Sequence, residues 1–207
     1  MRVVINININ IFVFQPAVIY TGALFMISMT GIEADLLTIA IAFALLGAAY
    51  SVLGGLRAVA VSDTYGGVLV LAMGLLIVVL SLVAIDFDFS GIPADRLTLI
   101  GDSTSPVPWH TLLTGMFLIQ IFYWSTNQTI TQRAMAAPTV KEAQKGVYAA
   151  AFIRVIFIPS MVVIPGIVAF KLYGDIGDQA YGRIVGDLLQ GWLSGVFAAA
   201  IAAAVLS

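Results

Sequence analysis

The sequence predicts an all-α integral membrane protein, a bundle of about six transmembrane helices. Of its 207 residues 61% are hydrophobic and only 10% charged. Mean hydropathy is +1.06, far above the range of ordinary soluble domains. Apolar runs near the roughly 20 residues needed to span a bilayer recur along the chain, at 11–30, 36–53, 59–85, 112–130, 147–172 and 191–207.

Taken in order, the opening "MRVVINININ" alternates Ile or Val with Asn, a period of two that suits a strand or an irregular lead-in better than a membrane helix. No basic head followed by a short apolar core and a small-residue cleavage site is present there, so no removable signal peptide is expected. The first three apolar runs are separated by short charged connections. After the third comes "DFDFSGIPADRLTLIGDSTSPVPWH", acidic and broken by Pro93, Pro106 and Pro108, which reads as an outer loop with room for one short helix. "APTVKEAQKG" is a compact connection between the fourth and fifth runs. The last run would extend about 25 Å at 1.5 Å per residue, short of a hydrocarbon core of roughly 30 Å, and reads as cut off.

Charges sort by connection. Arg2, Arg57, Arg133, Lys141 and Lys145 fall on alternate loops, with Asp63 and Glu142 the acids beside them. Glu33, Asp35, Asp86, Asp88, Asp95, Asp102, Asp175, Asp178 and Asp187 fall on the others, against Arg96, Lys171 and Arg183. Basic residues collect on cytoplasmic loops. The first helix is therefore expected to run from inside to outside, and the last to head inward.

Composition also excludes classes of chemistry. With no cysteine there are no disulfides or thiolate metal sites, and a single His110 builds no histidine metal centre. A net charge of −2 argues against nucleic acid. Intramembrane hydrolysis needs a nucleophile and base or a metal motif, and no paired acids, H-E-x-x-H or G-x-S-x-G occurs, which argues against an enzyme. The Asn-x-Thr of "TNQT" is a false glycosylation match at membrane depth.

The informative stretch is "FYWSTNQTITQRAMAA", residues 122–137. Gln120, Tyr123, Trp124 and Asn127 fall at i, i+3, i+4 and i+7, which would place all four on one face of a helix. Polar groups facing lipid would cost several kcal/mol each if unpaired. An interfacial aromatic belt is one reading. Depth counts against it, since Trp124 lies nine residues before Arg133, about 13 Å inward from the cytoplasmic boundary. The stripe is read as facing a watery cavity, with plain interhelical hydrogen bonding as the second reading. Arg154 enters from the cytoplasmic side eight residues after Gly146, about 12 Å deep, the same height as Trp124. A charge at that depth marks a functional site by default, or a long arginine snorkelling to the interface. Asp63, six residues after Arg57, sits near the inner mouth, where it either attracts a cation or makes a local ion pair. Ser207 and the carbonyl of Ala203 lie one turn apart and would give a hard cation two oxygens; the rest would come from another helix.

"YSVLGGLRAVAVSDTYGGVLVL", "YWSTNQTITQRAMAAPTVKEAQKG", "VVIPGIVAF" and "GVFAAAIAAAVLS" together resemble the sodium/solute symporter family, nearest its sodium/sugar cotransporter branch. The most specific part is N-Q-x-x-x-Q-R-x-x-A-A followed by a short basic turn, and the resemblance runs from about Thr21 to Ser207. It implies a leucine-transporter-type bundle of inverted repeats with substrate and sodium near the midplane. Residues 1–207 would then form a single transmembrane transporter domain, incomplete at both ends, with core helices three to eight and without one, two, nine and ten. The implied activity is sodium-coupled symport of a small polar organic solute across the plasma membrane, a sugar first and an organic acid or other anion second. A non-transporting sensor or scaffold and an ion channel are the other classes.

Position by position, the resemblance makes Gln120 an amide that hydrogen-bonds the sugar, Tyr123 and Trp124 the aromatics of its inner gate, and Asn127 the amide holding that gate. Arg154 stands where the branch has a sugar-binding lysine, one extra residue preceding Pro159; a planar guanidinium favours a carboxylate more than lysine does. For sodium, Ala203 matches a carbonyl ligand, Ser207 a hydroxyl ligand and Asp63 an acid on the inward exit path. Leu206 replaces a position that is often hydroxylic. The implied partners are the solute, sodium as coupling ion and the lipid bilayer.

Overall fold

The computed structural model describes residues 8, 10–98, 100–105 and 107–206, apart from the side chains of 10, 56, 57, 128, 129 and 206. Ser207 and most of the "MRVVINININ" lead-in lie outside the described residues. The described residues are overwhelmingly helical, with no strand among them. Four helices are long and apolar enough to cross a membrane, Ile11–Thr30, Leu36–Gly55, Ala58–Ala84 and Val140–Tyr173, and a shorter apolar one covers Trp192–Val205. The chain divides into two compact units, residues 1–88 with 160–207, and residues 89–159.

In the first unit a π-helical turn at Asn10–Phe14 leads into α1, Gln15–Thr30. Pro16 fits the first turn, where a helix needs no N–H. Gly31, at φ 66°, ends it in the left-handed region and donates its N–H to the Ile27 carbonyl at 2.9 Å. The hydroxyls of Thr21 and Thr30 bond back to the carbonyls of Ala17 and Met26, so neither reaches lipid unpaired.

Helix α2, Leu36–Gly55, starts on Asp35, whose carboxylate accepts the Thr38 N–H. It ends at Gly55, whose φ of 63° and ψ of −177° only glycine adopts readily. Helix α3, Ala58–Ala84, begins beyond that break, and the Tyr50 hydroxyl ties the two together by donating to the Ala58 carbonyl at 2.9 Å. The break falls between the expected runs 36–53 and 59–85. Gly55→Ala is expected to destabilise the fold by about 1–3 kcal/mol through backbone strain. Gly166→Ala, where an added Cβ meets nothing within 4 Å, should leave the melting temperature in detergent unchanged or slightly raised, and equal losses for both would refute the strain argument.

Two more helices complete this unit, α8 (Ala180–Leu188) and α9 (Trp192–Leu206), together with the part of α7 (Val140–Tyr173) from Ser160 on. Their core gathers Met29, Met73, Ile77, Val168, Ile184, Leu189 and Phe197, all buried. Phe25 meets Phe197 edge-on at 5.9 Å and Tyr181 at 6.0 Å. Burial pushes the Tyr181 hydroxyl up to about 12. Helix α1 approaches α8 closely, because Gly182 and Gly186 offer only backbone. A Cβ on Gly186 would stand 2.4 Å from the Met29 carbonyl oxygen, and one on Gly182 2.5 Å from Ser28 Cβ. This is the small-xxx-small spacing that lets membrane helices approach closely. At the end of α7, Lys171 binds the Asp88 carboxylate at 2.9 Å and its backbone carbonyl.

The second unit holds the proline-broken loop and the amphipathic turn-rich stretch after it. The short helix anticipated in the loop is a 3₁₀ turn at Ala94–Leu97. Further on, Thr104 and Ser105 donate to Asp102 and hold its carboxyl below the usual range. The expected helix 112–130 is divided into α4 (Trp109–Leu113), α5 (Gly115–Ser125) and α6 (Gln128–Met135). The second break has a local cause. The Phe122 carbonyl receives the N–H groups of Thr126 and Asn127 at 3.0 and 3.1 Å and the Thr126 hydroxyl at 2.9 Å, so one acceptor takes three donors and the regular ladder stops. Helix α7 starts at Val140, earlier than the expected 147. Thr139 accepts the Glu142 N–H at 3.2 Å, the T-x-x-E arrangement of a capping box.

Candidate functional site

Within the second unit, α5, α6 and the first half of α7 border an open cavity of about 1070 Å³. Helix α5 contributes Gln120 and Trp124, α6 contributes Thr131, Arg133 and Ala134, and α7 contributes a face running from Glu142 to Pro159. That face consists of Ala143, Gly146, Val147, Ala150, Ala151, Arg154 and Val155, spaced by threes and fours and so aligned along one side of the helix. Its small side chains make room, and Arg154 supplies the charge.

Three of the five substrate residues expected from sequence, Gln120, Trp124 and Arg154, line this one cavity. The Trp124 indole N–H donates to the Gln120 side-chain oxygen at 3.0 Å, one turn back on α5. That bond fixes the amide, leaving its NH₂ end as a donor. The Arg154 guanidinium carbon lies 5.1 Å from the Trp124 ring centre and 6.0 Å from that of Tyr123, within cation–π range of both. Tyr123 and Trp124 meet edge to face at 5.6 Å. The equal heights inferred for Trp124 and Arg154 by counting residues are thus matched by direct contact.

Asn127 is placed differently from the expectation of one continuous stripe. Helix α5 ends at Ser125, so Asn127 sits at the break, buried, and its carbonyl accepts both the N–H and the hydroxyl of Thr131. It starts α6 and does not line the cavity. Sequence reasoning missed Thr131, Arg133, Glu142 and the small-residue face of α7. The last was readable from its three–four spacing, although alanines at that spacing signal packing as readily as a cavity wall.

In the first unit, a smaller cavity of about 190 Å³ is lined by Ser62, Asp63, Gly66, Gly67 and Val70 of α3 and by Ala203 and Ala204 of α9. The structure therefore brings together Asp63 and Ala203, two of the three residues expected for sodium; Ser207 lies outside the described residues. Among the described residues there is no cluster of three or more His, Cys, Asp or Glu. Asp63 and Ser62 carry oxygens of the hard type that suits an alkali cation, although the surface of this cavity is almost wholly apolar.

The family model described as sodium:solute symporter family matches residues 3–207, nearly the whole chain. The chain belongs to the sodium:solute symporter family. As a member of that family it is a multi-pass membrane protein, in keeping with its long apolar helices. It is 34% identical to the uncharacterized symporter YidK of Escherichia coli (strain K12), over 94% of this chain and 37% of that protein. It is 31% identical to the sodium/glucose cotransporter of Vibrio parahaemolyticus, over 97% of this chain and 42% of that protein. With the sodium/myo-inositol cotransporter 2 of Homo sapiens the identity is 28%, over 99% of this chain and 36% of that protein. The symporter-family chain thus spans about two-fifths of the length of these relatives.

Proposed function

We propose that the protein is a sodium-coupled symporter of a small polar organic solute of the sugar and polyol kind, with residues 1–207 acting as a single transmembrane transporter domain. The observation that carries this reading is the Gln120–Trp124–Arg154 constellation on one cavity wall. The named solutes of two relatives, glucose and myo-inositol, are both polyhydroxylated. The Gln120 amide suits hydroxyl recognition, the rings of Tyr123 and Trp124 suit the apolar faces of a sugar, and Asn127 stabilises the break that ends the gate helix. Asp63, Ala203 and Ser207 are assigned to the sodium site or its exit path.

Coupling follows from differential affinity. Sodium must favour the conformation that accepts solute, and joint occupancy must permit closure and inward release, since a ligand shifts an equilibrium only by its preference between states. Each sodium charge crossing 100 mV contributes about 2.3 kcal/mol.

The test is uptake of labelled glucose, myo-inositol and glucuronate by the full-length protein in proteoliposomes, under a sodium gradient and under a potassium gradient. Sodium-dependent, saturable uptake of at least one solute is expected, and its absence for all three overturns the proposal. Gln120→Ala should weaken apparent solute affinity by about tenfold, the value of one to two hydrogen bonds. Ser207→Ala should shift sodium activation to higher concentration while leaving solute affinity at saturating sodium unchanged. If both variants match the parent, these residue assignments are wrong.

A further inference from the structure

We propose that the main-chain carbonyl of Val155, released from the helix ladder by Pro159, accepts the proton of one solute hydroxyl. The proposal rests on the transport reading above and names a further specificity-determining group in that site.

Helix α7 runs from Val140 to Tyr173 with Pro159 in its interior. A proline there has no N–H to give the carbonyl four residues back, and its ring crowds that carbonyl out of a straight ladder. The carbonyl concerned is that of Val155. Val155 and Pro159 stand one turn apart on the same side of α7, both are exposed, and both line the large cavity. A peptide oxygen that loses its donor inside a membrane is costly unless another proton reaches it. Here it borders the space assigned to the solute.

The balance of donors and acceptors in the cavity calls for such a group. Every sugar hydroxyl both accepts and donates. Arg154 and the NH₂ end of Gln120 only donate, and the Gln120 oxygen already accepts from the Trp124 indole. The Glu142 carboxylate is engaged by Lys145 and lies about 20 Å from Val155 along the helix. Thr131 gives its own proton to the Asn127 carbonyl and keeps only its lone pairs, on α6. Arg154 and the Val155 carbonyl therefore offer a hydroxylated solute a donor and an acceptor from consecutive residues of one helix. Pro165 makes the same change at the Met161 carbonyl, but both residues are buried and neither lines this cavity.

Sodium-driven uptake by the full-length protein in proteoliposomes tests this, with whichever of glucose, myo-inositol and glucuronate is carried and its singly deoxy and deoxyfluoro analogues. Removing the hydroxyl that reaches Val155 should lower kcat/KM by about two- to tenfold, the value of one hydrogen bond. Fluorine cannot donate, so it should not restore that loss. Pro159→Ala returns the N–H, and discrimination at that position should vanish through a loss on the parent solute, while discrimination at other positions persists. Pro159→Val, closer in bulk to the proline ring, should do the same. Both are better helix formers than proline, so both should fold. Pro165→Ala should leave the whole pattern unchanged. The proposal is overturned, with symport intact, if fluorine restores uptake at every position where a hydroxyl matters. It is equally overturned if the Pro159 variants lower all analogues by one common factor or leave discrimination as it was. If sodium drives none of the three solutes, the symport reading fails and this one with it.

Discussion

Trp124→Ala is expected to reduce solute uptake, as kcat/KM for the solute carried, by about five- to several-hundredfold in the reconstituted full-length protein. The indole does two things at once. Its face supports the Arg154 guanidinium at 5.1 Å, and its N–H fixes the Gln120 amide at 3.0 Å. A cation–π contact contributes roughly 0.5–2 kcal/mol and a hydrogen bond roughly 0.5–1.5 kcal/mol, so losing both gives the stated range. Trp124→Phe separates the two. It keeps a ring under Arg154 and removes only the donor, so its loss should stay within about tenfold. Two variants that behave alike, both near the parent, would show that the ring supports nothing and that the cavity residues act independently.

The second large effect concerns folding. Gly186→Leu should abolish recovery of folded protein from detergent extracts, because the first atom of any side chain there collides with the Met29 backbone at 2.4 Å. Even Gly186→Ala is an overpacking change, costing about 1–3 kcal/mol as α1 and α8 separate. Arg183→Ala on the same helix provides the contrast. Its 3.5 Å pair with Asp187 is exposed on both sides, a kind of contact that contributes roughly 0–1 kcal/mol. Monodispersity on size exclusion and the melting temperature read all three variants. A well-folded Gly186→Leu would mean that the α1–α8 approach is not what holds this unit.

How much of this was legible in the sequence depends on which physical signal each feature leaves. Apolar runs announce membrane helices because lipid demands continuous hydrophobicity, and those at 11–30, 36–53 and 59–85 reappear with nearly the same ends. The division of 112–130 left no such signal. The helical spacing of Gln120, Tyr123 and Trp124 continues smoothly to Asn127, and what stops α5 is the competition of Thr126 and Asn127 for one carbonyl. Thr126 and its neighbours look like ordinary helix residues until that geometry is known. Polarity at depth did single out Arg154, since charge in an apolar run is rare whatever the fold. The alanine face beside it was hidden for the opposite reason: small residues are equally suited to touching a neighbour and to leaving space. Asp63 and Ala203 are far apart along the chain, and only the packing of α3 on α9 shows that they border the same small cavity.

In the proposed solute site, the wall that α7 presents between Ala143 and Ala151 has only one side-chain torsion to freeze, that of Val147. A guest settling against it forfeits its own freedom but takes little from the host, since ordering a long side chain costs about 0.5–1.5 kcal/mol and an alanine nothing. Discrimination on that side is therefore set by the contour of the backbone cylinder, which does not adapt to a misfit. A single exchange of alanine for serine or valine there would re-cut the mould, giving related proteins a short route to a new cargo without rebuilding the opposite lip.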